Sequence, residues 1–309
     1  MTHLHGSIAV IPVHNEAATI ATIVAAACAY VPVIVVDDAS DDDSAQHAAA
    51  AGAKVIRLSQ QRGKGIALRQ GLTAALQRGA DRIVTLDGDG QHDPDDIPRL
   101  LAASYRRPDS MIIGGRLQAA ATIPRHRLHA IRLASFWLNW MGNCDVQDTQ
   151  SGFRVYPATI LHALDIKRGG FLFESESLLK AAQAGYNIYE LPINTVYQAE
   201  RKSQFRPIRD GISIASYLSY RGLRYWPRQI GCLFAHRKRD ASNSIRRTRQ
   251  RICATALATS LLPVLLLALI IQCLVGRMGY DVLAPIIQRF YDQRLLHTPA
   301  VDRETAHAL

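Results

Sequence analysis

The sequence predicts an α/β fold with a mostly parallel sheet covered by helices on both faces, and a membrane-associated helical segment near the C-terminus. Two features of the first 114 residues predict the sheet. Short β-branched runs alternate with segments of helical spacing, as they do where crossover helices connect parallel strands. Acidic residues directly follow two of these runs. A third feature, a nearly unbroken apolar run over residues 254–274, predicts the membrane-associated segment.

Each predicted strand is a short apolar run that is bounded by turn residues. The predicted strands are Ser7–Val13, Val31–Asp37, Lys54–Leu58, Arg82–Leu86 and Met111–Gly114. The predicted helices between them are Ala17–Tyr30, Ser44–Ala51, Gly65–Arg78 and Asp95–Tyr105. Asp93 is suited to cap the last of these helices, because Pro94 follows it at the first helical position, which tolerates proline. Residues 148–210 are of mixed character with tight turns.

Composition narrows the class of protein and its partners. A hydrophobic content of 48% and a charged content of 20% are ordinary for a globular protein and argue against a disordered chain. The formal charge of +10 fits nucleic acid, anionic lipid or a phosphate-rich substrate. Acidic residues gather in the first hundred positions and basic residues in 201–209 and 237–251, which suits a metal site beside a membrane surface. Five scattered cysteines indicate neither a zinc site nor a disulfide framework, so a reducing cytoplasm fits.

The C-terminal part is expected to bring the chain to a membrane. We divide the chain into an α/β domain (1–230), a basic linker (231–251), a transmembrane or membrane-associated helix (252–276) and a tail (277–309). Arginines before the apolar run predict that the α/β domain lies at the cytoplasmic face, of the inner membrane if the source is bacterial. A re-entrant hairpin around Pro263 and a soluble helix are the alternatives. Arg125–Trp140 fits an amphipathic helix on a membrane interface or an ordinary surface helix. Met1–Gly6 has no features of a secretory signal.

Two acidic clusters are placed where ligands bind in an open parallel sheet, at the carboxyl ends of strands. Asp37-Asp38 follows the second predicted strand, and Asp87-Gly88-Asp89 follows the fourth. Gly88 allows a tight turn, so that the flanking carboxylates can meet a divalent cation. Oxygen ligands favour Mg²⁺ or Mn²⁺, and such an ion pairs well with a diphosphate. The alternative is a helix cap, the role that Asp93 is expected to have.

A glycine-flanked lysine, Lys64, stands at the start of the third predicted helix, where a diphosphate or nucleotide can be bound. No G-x-G-x-x-G sequence follows the first strand, which argues against a dinucleotide cofactor, and there is no Walker P-loop. The missing glycine-rich loop after the first strand also argues against a sugar nucleotidyltransferase.

An ordered set of motifs over residues 7–212 resembles the family 2 glycosyltransferases, which have the GT-A (Rossmann-like) fold. The motifs are Pro12-Val13-His14-Asn15-Glu16, Val36-Asp37-Asp38-Ala39-Ser40, Gly63-Lys64-Gly65, Leu86-Asp87-Gly88-Asp89-Gly90-Gln91-His92-Asp93-Pro94, Gly114-Gly115-Arg116, Asp148-Thr149-Gln150-Ser151-Gly152-Phe153-Arg154 and Ser203-Gln204-Phe205-Arg206-Pro207-Ile208-Arg209-Asp210. Within the family, the set is similar to the dolichyl-phosphate mannosyltransferase and polyprenyl-phosphate glycosyltransferase branch. The resemblance implies an inverting transfer of a sugar from a nucleotide-sugar donor to a lipid-linked acceptor, foremost a polyprenyl phosphate.

The resemblance also implies roles for individual residues. The base and ribose of the donor would be held by Pro12, His14, Glu16 and Asp38. The nucleotide sugar would also contact Lys64 and Asp87, and Arg116 would face the donor sugar or phosphate. A Mg²⁺ or Mn²⁺ ion would be surrounded by Asp87, Asp89 and Gln91. An acceptor phosphate would face Arg132, and Ser203 and Arg206 would also contact the acceptor. Many dolichyl-phosphate enzymes have Ser-Lys where this chain has Ser203-Gln204, so a basic acceptor contact would come from Arg201, Lys202 or Arg206. The candidate catalytic residues are Asp89, Arg116, Arg132 and Asp148.

The nature of the acceptor decides whether a general base is needed. A lipid phosphate is already anionic, whereas a hydroxyl of a glycolipid, polysaccharide or other lipid has to be deprotonated. Asp148 is the candidate base, and a structural role in the turn before Ser151-Gly152 is the alternative. From a different class, a nucleic-acid binder would use the basic C-terminal half. An aromatic content of 7% and the absence of a recognition motif argue against nucleic acid as a partner.

Overall fold

The structure, a computed structural model, describes residues 6–117, 123, 125–164, 166, 172–194 and 221. The chain divides into two compact units, Met1–Ile123 with Gly142–Lys202 and Pro124–Met141 with Ser203–Leu309. The predicted linker, membrane helix and tail lie outside the described residues, as do Ser203 and Arg206. The predicted domain boundaries therefore stay predictions. Within the described part of the chain, no helix combines the length and the hydropathy that a membrane span requires.

Seven strands of the first unit form one sheet within the described residues. They are β1 (Ser7–Val13), β2 (Val33–Asp37), β3 (Lys54–Arg57), β4 (Arg82–Thr85), β5 (Ser110–Gly115), β6 (Arg154–Pro157) and β7 (Asn187–Pro192). Their order across the sheet is β3-β2-β1-β4-β6-β5-β7. All neighbouring strands pair in parallel except β6, which is antiparallel to both β4 and β5. The prediction of a mostly parallel sheet is confirmed.

The helices predicted in the first hundred residues are present close to their predicted bounds. The described helices are α1 (Ile20–Cys28), α2 (Ser44–Ala50), α3 (Lys64–Gln77), α4 (Ile97–Arg106), α5 (Arg125–Gly142), α6 (Ala158–Ala163) and α7 (Leu172–Gln183). A short 3₁₀ helix, Pro94–Asp96, precedes α4. Asp93 caps it as predicted, because an oxygen of its side chain accepts the N–H of Asp95 at 3.0 Å.

Both faces of the central strands are buried, which explains why the strands read as unbroken apolar runs. On one face, Ile11 and Val13 belong to a core cluster that also contains side chains of α1 and α4. On the other face, α3 lies so close that a Cβ atom on Gly71 would be 2.3 Å from Cγ1 of Val10. Helices therefore cover the sheet on both sides, and Gly71 permits the close approach of α3.

The second unit contributes α5 to the described residues. The helix predicted at Arg125–Trp140 is confirmed and continues to Gly142. Several of its described apolar side chains, among them Phe136 and Leu138, are buried, and Trp137 packs edge-on against Phe136 and Trp140. The placement of this helix on a membrane interface stays a prediction.

The sequence pattern does not predict the four elements β6, α6, α7 and β7. Strand β6 begins with Arg154, which is fully buried. Its guanidinium donates hydrogen bonds to the carbonyl oxygens of Thr149 at 2.7 Å, Ser151 at 2.8 Å and Glu174 at 2.8 Å. Arg154 therefore joins the loop before β6 to the first turn of α7, and this connection shapes the site described next.

Candidate active site

Polar side chains converge at the edge of the sheet where the parallel strands end. The strands β1, β2, β4 and β5 lead to His14, Asp38, Asp87 and Arg116, respectively. Because β6 runs in the opposite direction, the loop before it reaches the same edge. The hydroxyl of Thr85 donates to the carbonyl oxygen of Gly152 in that loop at 2.8 Å. The sheet topology thus brings sequence-predicted site residues together in the first unit.

Asp38 holds the loop that precedes Lys64. Its two carboxylate oxygens accept the backbone N–H groups of Arg62 and Gly63, each at 2.7 Å. Nδ1 of His14 lies 2.9 Å from the carbonyl oxygen of Asp38, which connects the end of β1 to the end of β2. Asp38 is buried, so both hydrogen bonds form away from bulk water. The positions of Lys64 and His14 are therefore both tied to Asp38.

Pro12 and Glu16 flank this arrangement on the chain of β1. Pro12 is a buried residue of the strand and lies opposite Val36 of β2. The N–H of Glu16 donates to Oγ of Ser44 at 2.7 Å, and its carbonyl oxygen accepts the N–H of Ile20 at the start of α1. The backbone of Glu16 thus has a structural role in starting α1, and the predicted contacts of both residues with a nucleotide stay predictions.

Lys64 lies between two carboxylates that come from different parts of the chain. Its Nζ is 2.7 Å from Oδ1 of Asp87 and 2.8 Å from Oε1 of Glu174. Burial would lower the pKa of Lys64, but the charges of Asp87 and Glu174 outweigh burial and raise it. Burial likewise opposes ionisation of Asp87, but the charge of Lys64 outweighs it and lowers the pKa of Asp87 to about 2. Lys64 and Asp87 are therefore both charged at neutral pH.

Gly152 leaves the space in which this ion pair forms. A Cβ atom at this position would lie 2.7 Å from Oδ1 of Asp87 and 3.0 Å from Nζ of Lys64. Steric constraints therefore explain the glycine at position 152, since a side chain at this position would displace Asp87 or Lys64.

The carboxylates predicted to bind metal occupy the turn after β4. Oδ1 of Asp89 accepts the N–H of Gln91 at 3.0 Å, and both Asp87 and Asp89 are half-buried. Among the described residues, no group of three or more His, Cys, Asp or Glu side chains is arranged to hold a metal. Mg²⁺ is commonly bound by one or two carboxylates together with substrate phosphates. Two carboxylates on either side of Gly88 fit a site of this kind.

Arg116 and Asp148 form a buried, bidentate ion pair. Nε and Nη2 of Arg116 lie 2.7 Å and 3.0 Å from the two oxygens of Asp148. Burial would raise the pKa of Asp148, but the Arg116 charge outweighs it and lowers that pKa. Oδ1 of Asp148 also accepts the N–H of Gln150 at 3.3 Å. Asp148 thus has the contacts of a turn carboxylate in addition to its ion pair, while its role as a general base stays a prediction.

Two glutamates at the site are not among the residues predicted from the sequence. Glu174 lies in the first turn of α7, and Glu190 on β7 accepts the N–H of Asp148 at 3.2 Å beside Gly115. Burial raises the pKa of Glu190 to about 7. The run from Glu174 to Ser177 is polar in every position, so its sequence resembles that of a surface segment. In the structure, all four residues are buried. The available signal was the apolar pair Leu178-Leu179 directly behind it, which indicates a helix with a buried face.

One predicted site residue belongs to the second unit. Arg132 is a half-buried residue of α5, which belongs to the second unit. Its predicted contact with an acceptor phosphate stays a prediction, as do those of Ser203 and Arg206.

Comparison with known proteins decides the family. The sequence model described as Glycosyl transferase family 2 matches residues 8–161, which contain the carboxyl ends of β1, β2, β4 and β5. The chain belongs to glycosyl transferase family 2. The predicted resemblance is therefore confirmed.

Two relatives in the family have names that state a reaction. The chain is 32% identical over 151 residues to the UDP-N-acetylglucosamine--dolichyl-phosphate N-acetylglucosaminyltransferase of Methanococcus voltae. The matched region covers 47% of this chain and 60% of that protein. It is 31% identical over 148 residues to the undecaprenyl-phosphate mannosyltransferase of Micrococcus luteus, with coverages of 46% and 60%. The chain thus spans about three fifths of the length of these relatives.

A solved structure shows the same fold. Glucosyl-3-phosphoglycerate synthase from Mycobacterium tuberculosis, in complex with Mn²⁺, uridine-diphosphate-glucose and phosphoglyceric acid, superposes with a TM-score of 0.52. The match covers 70% of this chain and 79% of that one at 20% identity. The predicted GT-A fold is confirmed by this likeness, and Mn²⁺ is a component of that solved complex.

Proposed function

We propose that this chain is an inverting glycosyltransferase that moves a sugar from a nucleotide-sugar donor to a polyprenyl phosphate. One observation carries the proposal: the cations of Lys64 and Arg116 and the carboxylates of Asp87 and Asp89 gather at one sheet edge. The Arg116 charge contributes to the low pKa of Asp87, which indicates that the two ion pairs act on each other. Such a set suits a diphosphate together with its divalent cation. The relatives named for dolichyl phosphate and undecaprenyl phosphate support the acceptor class.

On the donor side, the residues bind and orient the nucleotide. Asp38 and His14 are connected through the backbone of Asp38, and with Pro12 and Glu16 they would line the site of the base and ribose. Asp87 and Asp89, with Gln91 beside them, would hold a Mg²⁺ or Mn²⁺ ion, which would neutralise the leaving diphosphate. Lys64 and Arg116 would add positive charge where negative charge grows as the bond to the sugar breaks.

On the acceptor side, the lowered pKa of Asp148 favours a phosphate over a hydroxyl as the attacking group. A general base is most effective when its pKa lies near the working pH, and the ion pair with Arg116 lowers the pKa of Asp148. A phosphate oxygen of a polyprenyl phosphate is already anionic. It would attack the anomeric carbon, the bond from that carbon to the diphosphate would break, and the configuration would invert. Arg132, Ser203 and Arg206 are the candidate contacts for this phosphate.

The acceptor is tested directly with labelled donors. The full-length chain in detergent is incubated with Mn²⁺, a panel of nucleotide sugars and, in separate reactions, polyprenyl phosphate, the matching polyprenol, a glycolipid or a polysaccharide. We expect label in the lipid fraction only with the phosphorylated lipid and only with one or a few donors. Transfer to the polyprenol, a glycolipid or a polysaccharide would contradict the proposal and support the second candidate function, transfer to a hydroxyl.

We further propose that the chain works at the cytoplasmic face of a membrane and that residues 254–274 hold it there. The run has no charged residue, and Arg246, Arg247, Arg249 and Arg251 precede it. We expect the full chain to remain in the membrane fraction after alkaline carbonate, and a chain ending at Arg251 to be released. A high-salt wash is the control for binding by charge alone. A full chain that is freely soluble without detergent would contradict the proposal.

A further inference from the structure

Lys64 contacts two carboxylates, and one of them is a proposed ligand of the divalent cation. Its ammonium contacts Asp87, which follows β4, and Glu174, which lies on α7. The side chain of Glu174 is 4% exposed, against 21% for Lys64 and 23% for Asp87. Glu174 is thus the deepest of the three groups, and Asp87 is the carboxylate nearer to solvent.

Asp87 has two possible cationic partners. Its Oδ1 contacts Lys64 at 2.7 Å, and the same carboxylate is the proposed ligand of a divalent cation. An ammonium and a metal ion that share one carboxylate repel each other. Binding of a cation at Asp87 therefore weakens the contact of Lys64 with this carboxylate. If Asp87 were its only partner, this step would leave an unpaired, largely buried charge, which is strongly unfavourable.

Glu174 has the placement needed to prevent this. The carbonyl oxygen of Glu174 accepts a hydrogen bond from Arg154, which fixes the first turn of α7. Oε2 of Glu174 is buried and has no hydrogen-bond partner among the described residues, so a second acceptor atom is present beside Lys64. A carboxylate in the first turn of a helix is favoured by the helix dipole alone. The dipole, however, does not account for its burial against Lys64.

We propose that Glu174 is a positioning residue that retains Lys64 when Asp87 turns to the divalent cation. This inference rests on the proposed function. Glu174 thereby makes the Asp87 carboxylate accessible to the cation and keeps the Lys64 ammonium in the donor site.

The charges predict opposite effects for the two partners of this contact. In Glu174→Gln the negative charge that draws Lys64 away from Asp87 is lost, so Lys64 competes harder with the metal and Mn²⁺ binds more weakly. Loss of a residue that supports a metal ligand typically costs about 10- to 100-fold in affinity, and we expect a change of this size. In Lys64→Gln the competing cation is absent, so Mn²⁺ binds about tenfold or more tightly.

The measurement is the Mn²⁺ affinity of the full-length chain in detergent, without nucleotide, from the electron paramagnetic resonance signal of free Mn²⁺. Glu176→Gln is the matched control, because Glu176 is a buried carboxylate on the same helix that pairs with Lys180 at 2.9 Å. We expect the control to leave Mn²⁺ affinity unchanged. Melting temperatures establish that each variant is folded.

The double variant Lys64→Gln/Glu174→Gln separates positioning from direct attraction. If Glu174 acts through Lys64, adding Glu174→Gln to Lys64→Gln changes Mn²⁺ affinity by no more than about twofold, the scatter of independent sites. If Glu174→Gln lowers Mn²⁺ affinity in the Lys64→Gln variant as strongly as it does in the wild type, Glu174 attracts the cation directly and the proposal is overturned. If Glu174→Gln fails to fold, unchanged or weaker Mn²⁺ binding by Lys64→Gln would overturn it instead.

The same measurements keep this inference apart from the proposed function. A wild-type chain that binds Mn²⁺ and transfers sugar, with all variants equal to it in Mn²⁺ affinity, contradicts only the role of Glu174. A wild-type chain that neither binds Mn²⁺ nor transfers sugar contradicts both.

Discussion

Replacement of Asp89 by asparagine is expected to lower the rate of sugar transfer about 100- to 1000-fold, the loss typical when an electrostatic stabiliser is removed from a preorganised active site. Oδ1 of Asp89 accepts the N–H of Gln91 at 3.0 Å, and the amide oxygen of asparagine can accept the same hydrogen bond. The turn after β4 is therefore kept, while the negative charge offered to a divalent cation is lost. The check is the initial rate of transfer at saturating donor and Mn²⁺.

Asp109→Asn is the matched control for this experiment. Asp109 is exposed and directly precedes β5, so it lies at the opposite end of the sheet from the candidate site. We expect wild-type rates from this variant and unchanged melting temperatures from both. Full activity of Asp89→Asn, or full activity of the wild type in excess chelator, would show that the turn after β4 does not bind a required metal.

The parallel half of the sheet could be predicted because burial on both faces leaves an unmistakable pattern. Every residue of β1 and β2 is buried, and after Ser7 at the start of β1 both runs are apolar until Asp37 at the end of β2. The same pattern placed Asp38 and Asp87 at the functional edge, since a carboxylate that directly follows a buried strand is exceptional. The edge at which ligands bind then follows from the rules of parallel sheets.

The antiparallel part was hidden by buried polar residues. Arg154 at the start of β6 reads as a surface residue, but its guanidinium is satisfied by backbone carbonyls inside the protein. Glu174 to Ser177 likewise read as a solvated segment, although all four residues are buried. Burial of such groups depends on partners far away in the sequence, and periodicity carries no information on those partners. Contacts of this kind, including that of Glu174 with Lys64, become visible only in the folded structure.

Asp38→Ala is expected to weaken donor binding about 100-fold, because the loop that carries Lys64 loses its anchor. Each of the two N–H groups that Asp38 accepts, those of Arg62 and Gly63, loses a charge-assisted hydrogen bond worth about 1.5–3 kcal/mol. Gly63 has a φ angle of +90°. Glycine also adopts other backbone conformations readily, so this one is no longer stabilised once the two hydrogen bonds are absent. Lys64, the next residue, then no longer has a defined position. Calorimetric titration with the nucleoside diphosphate of the active donor measures the effect.

Asp96→Ala distinguishes this specific effect from a general loss of stability. Asp96 is also buried, accepts the N–H of Asn194 at 2.8 Å and pairs with Arg99, so it too joins two segments of the chain. We expect both variants to lower the free energy of unfolding, by about 1–3 kcal/mol for each buried group left without a partner. Only Asp38→Ala should lose donor affinity. Equal donor affinity in the two variants would mean that Asp38 contributes to folding alone and that the nucleotide is held by other residues.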